Sequence, residues 1–441
     1  MTPELPSQPP YTLRARLLTP IGDADMAWLD DAVIRVDPDG RLAEIGPSPW
    51  GSDPAEGVID LRPWVILPGL IDLHAHLPQL PNAGVGAGLH LLDWLERYIF
   101  PLERDFDEAT AEQLAPKAFR AFARAGTTTV VAYGAIWEPS LDACFRAAEE
   151  HGIRAVIGKV MMDRLSYDTA REPHEILELS LRQSNDLCGR WHGRDGGRLS
   201  YAFTPRFAVS CSAEMLSASA TAAMKTGAYW QTHLSEDRGE LREVARLFPD
   251  AVDYTDVYDR AGGLRPGSIL AHAIHLTDRE IARLAESGAA VAHCPSSNLF
   301  LASGAMPLAK YREAGIPIGL GSDVAAGPDV SMFAVMKAGA FTQTALHAMR
   351  QAPHPAMPPI EWLRMATRGG AAALGVQDRI GSVEVGKEAD LIAVDAAVTL
   401  PLGEEAGRTD DGPDEILSRL IYRPHPDMVR GAWVRGRLLP T

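Results

Sequence analysis

Cysteine is scarce. The chain has four in 441 residues, Cys144, Cys188, Cys211 and Cys294, far apart and with no C-x-x-C pair. That spacing excludes a disulfide framework and a cysteine-built structural zinc site, and makes a reducing compartment the default. Positive charge is also short: 42 Lys and Arg stand against 58 Asp and Glu, a formal net charge of −16. Nucleic acids and anionic membranes bind through clustered Lys and Arg, so neither is an expected partner, and a small molecule is. No apolar run of about 18 residues is present to span a bilayer. The first ten residues hold four prolines and Glu4 in place of the apolar core of a secretory signal. No solenoid repeat period appears. The expectation is a cytoplasmic protein, and the hydrophobic and charged fractions of 46% and 23% are those of an ordinary globular enzyme.

Length alone, at about 150 residues per domain, allows two or three domains, but one α/β barrel takes about 250 residues, so a barrel with a small accessory domain fits equally well. From about residue 64 short β-branched runs alternate with amphipathic or Ala-rich stretches, the pattern of βα units. Strands are expected over 65–74, 127–133, 154–161, 199–204, 228–233, 268–272, 289–293 and 317–321. Helices are expected between them, including 109–125, 139–151, 213–226, 277–287 and 330–349, with Pro116 kinking the first or shifting its start. Eight such strands suggest closure into a barrel. Residues 11–62 and the tail from 389 read as strands without helices, broken by the turn signal Asp37-Pro38-Asp39-Gly40. The two ends are expected to pair, giving a composite β-sandwich domain from 1–64 and 378–441 around a barrel over 65–377.

The chemistry sits where these strands end. His74-Ala75-His76 closes the first strand, and alternate residues of a strand share a face, so both imidazoles can grip one ion. By itself an H-x-H pair is weak. Its weight comes from Thr204-Pro205-Arg206-Phe207, His233-Leu234-Ser235-Glu236, His272 and Gly321-Ser322-Asp323, which fall at the carboxyl ends of the fourth, fifth, sixth and eighth strands, the rim where barrel enzymes build their sites. His74, His76, His233 and Asp323 form a nitrogen and oxygen shell suited to one Zn²⁺, with Fe²⁺ as the alternative. Such an ion lowers the pKa of bound water to about 7. Glu236 is placed to act as general base, and His272 to donate to the nucleophile or bind weakly. Each has an ordinary alternative: a satisfied rim histidine, a helix cap at Asp323, a first-turn carboxylate at Glu236, an ion-pair partner at Arg206, core packing at Phe207. His275, His293 and Cys294 read as structural.

The order H-x-H, His, His, Asp along the strands resembles the amidohydrolase superfamily over nearly the whole chain. With no lysine suitably placed on the fourth strand and Glu236 following the fifth-strand histidine, it is similar to the mononuclear deaminase branch. His74–Gln79, Trp94–Pro101, Thr204–Cys211, His233–Glu236 and His293–Leu299 further resemble segments of the guanine deaminase family, in its order. The resemblance implies purine contacts at Gln79, Arg206 and Phe207, catalytic roles for Glu236, His272 and Asp323, a place in purine catabolism, and a homodimer. It implies conversion of guanine to xanthine and ammonia, with deamination of 8-oxoguanine, a pterin or another aminated heterocycle as the sibling alternative. Pro78 stands where that family has serine and is positioned to displace Gln79.

Overall fold

Residues 3–22, 25–51, 55–351, 357–402 and 411–441 are described in the computed structural model. The β-branched runs of the middle of the chain form β5 (Leu70–His76), β6 (Thr127–Tyr133), β7 (Arg154–Gly158), β8 (Val160–Met161), β9 (Leu199–Pro205), β10 (Tyr229–Leu234), β11 (Ser268–His272), β12 (Ala290–His293) and β13 (Ile318–Leu320). Eight of them run in parallel in the order β5-β6-β7-β9-β10-β11-β12-β13, and β8 pairs with the end of β9. The seam between first and last is closed just beyond β13. Asp323 N donates to the His74 carbonyl at 2.7 Å and His76 N to the Val324 carbonyl at 3.0 Å. Asp72 reinforces it by accepting from Ser322 N at 2.9 Å and His74 N at 3.1 Å.

Side chains alternate across the barrel wall, as the strand period of two requires. Ile71, Leu73, Val131, Val156, Ala202, Ile269, Ala271, Ala290 and Ala292 form one buried cluster. Their neighbours Leu70, Val130, Ala155, Ile157 and Leu270 join the larger core shared with the helices. The helices between strands follow their sequence signals: Asp107 caps Glu108–Arg124, Ser212 caps Ala213–Thr226, and Thr277 with Glu280 forms a capping box on Asp278–Ser287. Pro116 does not shift the start of its helix, which runs unbroken from Glu108. The Asp107 side chain accepting from Thr110 N sets that boundary instead.

The flanking segments supply β1 (Tyr11–Ile21), β2 (Asp25–Val36), β3 (Leu42–Pro47), β4 (Val58–Pro68), β14 (Leu391–Val394), β15 (Val429–Val434) and β16 (Arg437–Leu438). They make a seven-stranded mixed sheet in the order β16-β15-β14-β4-β1-β2-β3. An Arg41–Glu388 bridge brings its far edge back toward β14, around a core that includes Leu13, Ile34, Leu61, Ile66, Leu391 and Trp433. The tail also holds a helix, Pro413–Tyr422, whose Ile416, Leu417, Leu420 and Ile421 are buried in the main core. The strands-only expectation for the tail missed it.

Two features couple this sheet to the barrel. β4 passes into β5 through Gly69 alone, where a Cβ would meet the Thr128 side chain at 2.1 Å, so only glycine fits. Arg154 of β7, itself buried, pairs with Asp390 at 3.0 Å and with Glu388, which also receives Arg379 at 2.7 Å and Arg435 at 2.9 Å. Among the described residues no helix is long and apolar enough to cross a membrane.

Candidate active site

Three barrel strand ends carry left-handed backbone at non-glycine residues: Ser235 (φ 53°), His272 (φ 70°) and Asp323 (φ 49°). Each such conformation costs on the order of 1–3 kcal/mol, and such costs cluster at functional sites. The strand ends thereby leave the regular ladder and converge.

At the convergence His76 Nε2 lies 3.2 Å from both His74 Nε2 and His233 Nε2. Asp323 Oδ1 lies 3.2 Å from His74 Nε2 and 3.3 Å from His76 Nε2. A shared proton satisfies only one such pair, so ordinary hydrogen bonding does not account for four donor atoms meeting at this spacing. Four donors held at tetrahedral angles about 2.0–2.1 Å from one ion lie about 3.3–3.4 Å apart, and the observed edges match. The donor chemistry agrees. Burial pushes the His76 imidazole down to about 4 and the His233 imidazole well below its usual range, and lowers that of His74, so all three are neutral and have a lone pair to give. Burial alone would raise the Asp323 carboxyl; the hydrogen bond and charge of His74, with His76 and His272, hold it well below the usual range. It is an anion.

Neighbours set which nitrogen faces inward. His233 Nδ1–H donates to the Arg206 carbonyl and His272 Nδ1–H to Asn298 Oδ1 at 2.9 Å, which directs both Nε2 atoms to the centre. His272 Nε2 stands wider, 3.7 Å from Asp323 Oδ2 and 3.4 Å from Glu236 Oε2, and among the described residues has no hydrogen-bond partner. His74, His233, His272 and Asp323 still offer ligand atoms within 4.8 Å of one another. Glu236 is buried, with Ser303 Oγ donating to its Oε1 at 3.4 Å. Burial, then the charges of Asp323, Glu240 and Asp237, raise its carboxyl well above the usual range, so it can hold a proton near neutrality.

Above the imidazoles is a cleft lined by Gln79, Leu91, Trp94, Leu95, Arg206, Phe207 and Ala326 together with His76, His233, Glu236 and Asp323. Every one of these residues is buried, and the cavity holds about 20 Å³, room for about one water. Gln79, Arg206 and Phe207 are thus brought to one wall, over the four donor residues and Glu236. Pro78 sits in the first turn of the 3-10 segment Leu77–Asn82 without carrying Gln79 out of the cleft. His275 lies outside this group, with Nε2 donating to the Ser303 carbonyl at 2.8 Å, and His293 and Cys294 are wholly buried.

Sequence reasoning passed over Asp72, Glu103, Ser297 and Asn298. Asp72 had a signal, as the one charge inside the apolar run that ends in His74. Ser297, whose Oγ donates to Asp323 Oδ2 at 2.5 Å, and Asn298 lie in the polar stretch that follows the seventh barrel strand. Glu103 had none: its partners Gln79 and Arg206 are 24 and 103 residues away.

Residues 65–439 match the amidohydrolase family. Over 344 residues the chain is 36% identical to guanine deaminase of Escherichia coli (strain K12), covering 78% of this chain and 75% of that one. A solved guanine deaminase from C. acetobutylicum with bound guanine in the active site is similar at a TM-score of 0.89 and 28% identity, over 97% of this chain and 99% of that one. An adenosine deaminase from Xanthomonas campestris with bound zinc is similar at 0.80 and 27% identity, over 98% and 93%.

Proposed function

Because the chain belongs to the amidohydrolase family, and within it to the guanine deaminases, we propose that it hydrolyses guanine to xanthine and ammonia. The observation that carries this reading is that His76 Nε2 lies 3.2–3.3 Å from donor atoms of His74, His233 and Asp323, with Asp323 Oδ1 3.2 Å from His74 Nε2, and that Gln79 and Arg206 line the cleft beside them. His74, His76, His233 and Asp323 would hold one ion per subunit. Their donor set favours Zn²⁺, with Fe²⁺ as the alternative. An ion held there supplies the Lewis acidity that makes water nucleophilic near neutral pH.

The chain's own residues do the rest. Glu236 takes a proton from the attacking water and passes it to ring N3 of guanine as the new C2–O bond forms. Asp323 accepts the second proton. Glu236, now deprotonated, takes that proton over from Asp323 and delivers it to the departing amino group as the C2–N bond breaks, so that ammonia leaves with the second of the two water protons. His272 is 3.4 Å from Glu236 and orients the oxygen nucleophile while stabilising charge on the tetrahedral carbon's oxygen. Arg206 donates to the purine carbonyl, Gln79 reads the adjoining ring edge, and Phe207 shapes the pocket against the ring. Residues 1–64 and 378–441 serve as one β unit bracing the barrel of 65–377, a reading supported by the Arg41–Glu388 bridge between the two segments. A cytoplasmic homodimer working in purine catabolism completes the reading.

The test is ammonia release by metal-analysed protein across guanine, 8-oxoguanine, pterins, cytosine and adenine. Guanine is expected to lead. A leading rate on a pterin or 8-oxoguanine transfers the assignment to the sibling reaction, and no ammonia from guanine by fully metallated protein overturns it.

A further inference from the structure

We infer that Glu103, a residue outside the metal and proton-transfer machinery, sets the hydrogen-bond polarity of the pocket and so makes it selective for a lactam edge, an N–H beside a C=O. The inference rests on the purine reading above and adds the residue that decides which purines are read. Glu103 is wholly buried. Its Oε1 accepts from Gln79 Nε2 at 2.8 Å, both its oxygens accept from Arg206 Nη1 at 2.6 Å, and Tyr167 donates to Oε2 at 3.3 Å.

Two consequences follow from donor and acceptor chemistry. A carboxylate can only accept, so the amide nitrogen of Gln79 must face Glu103 and its oxygen must face away. That oxygen, Gln79 Oε1, is buried with no hydrogen-bond partner among the described residues, on a residue lining the cleft. A buried acceptor left unmatched costs free energy until a ligand supplies an N–H. Arg206 is equally constrained. Its guanidinium is buried and its charge is balanced by Glu103, so it presents donors without demanding an anionic ligand. The wall therefore offers an acceptor from Gln79 and a donor from Arg206, both fixed by one carboxylate.

Guanine and hypoxanthine carry the complement, N1–H beside C6=O. Adenine carries the inverse, an N1 acceptor beside an amino donor, and meets a mismatch at both places. Sites that bury hydrogen-bonding groups reject ligands lacking the partner far more strongly than apolar pockets do. Were Gln79 free to flip its amide, it could greet either ring. Glu103 removes that freedom and acts as a positioning residue.

The experiment compares hypoxanthine and adenine, neither of which has a C2 amino group to lose, by calorimetric binding to metal-loaded protein. Wild type is expected to bind hypoxanthine at least about 100-fold more tightly. In Glu103→Gln, which keeps shape but presents donor and acceptor alike, that ratio is expected to fall at least about tenfold, with the loss on guanine appearing in KM more than in kcat. If Glu103→Gln does not fold, Gln79→Met removes the acceptor while leaving the ion pair, and the same fall is expected. A preserved ratio in whichever variant folds, or a wild type that does not discriminate, overturns the inference. So does a loss confined to kcat with the ratio intact, the mark of a merely structural role. Because the ratio is read from binding, it stands apart from guanine turnover: a wild type that discriminates but releases no ammonia fails the proposed reaction and not the polarity device.

Discussion

Glu236 and Asp323 are two buried carboxyls, beyond the ends of β10 and β13, whose environments drive them in opposite directions. Burial and neighbouring charge push Glu236 up, while the histidines hold Asp323 down. That separation leaves Asp323 ionised at rest and Glu236 able to give and take a proton. Glu236→Ala is expected to keep its metal and lose turnover by about 10²–10⁴-fold or more, checked by ammonia release alongside metal analysis. A near-wild-type rate with full metal would remove Glu236 from the reaction. Arg206→Ala should raise KM for guanine, and it leaves Glu103 as an uncompensated buried charge. Its unfolding free energy should therefore drop by about 3–5 kcal/mol, measured by denaturant titration; unchanged stability and kinetics would place Arg206 outside the site. The four convergent donor residues were legible in the sequence because each lies at or just past the end of a strand-forming run, so local pattern and position on the rim coincide. Glu103 was not, since nothing within a turn of it reveals partners that the barrel gathers from β9 and from the segment after β5.

At the scale of elements, most barrel strands were readable to within a few residues because short parallel strands buried on both faces are marked by composition, but the first, expected over 65–74, breaks at Gly69, and 65–68 pair with β14 in the accessory sheet. The tail helix Pro413–Tyr422 escaped although its apolar residues at 416, 417, 420 and 421 carry a helical period; its position between two strands of one sheet hid it. The Arg154–Glu388–Asp390 cluster has the clearest pH signature. Burial would raise the Glu388 carboxyl, but Arg154, Arg435 and Arg379 hold it at about 2, against about 4.3 in an unfolded chain. A carboxyl more acidic when folded stabilises the fold above the unfolded value, and that contribution disappears as pH falls from about 4.3 toward about 2. The melting temperature of wild type should therefore exceed that of Glu388→Gln at pH 7, with the gap narrowing through this acid window. A gap independent of pH would show that Glu388 contributes through shape alone.

For the whole molecule, the donor set makes folding and metal occupancy linked quantities. An ion that binds only the folded chain stabilises it by about 4 kcal/mol at a thousandfold excess over its dissociation constant. Chelation is expected to abolish ammonia release and lower the melting temperature by roughly 5 °C or more, and added Zn²⁺ should restore both. An unchanged melting temperature after verified metal removal would argue against the four-residue site. The accessory sheet bears on the same centre, because the strand that ends in His74 and His76 is the direct continuation of β4 through Gly69.

The narrow cleft, finally, bears on time as well as binding. A cavity of about 20 Å³ is smaller than a purine ring, so its lining must give way for guanine to enter and again for xanthine to leave. Each catalytic cycle then contains one opening for entry and one for release. Under saturating guanine the enzyme should slow as solvent viscosity rises, while substituting deuterium oxide for water should matter less than it would if proton transfer set the pace.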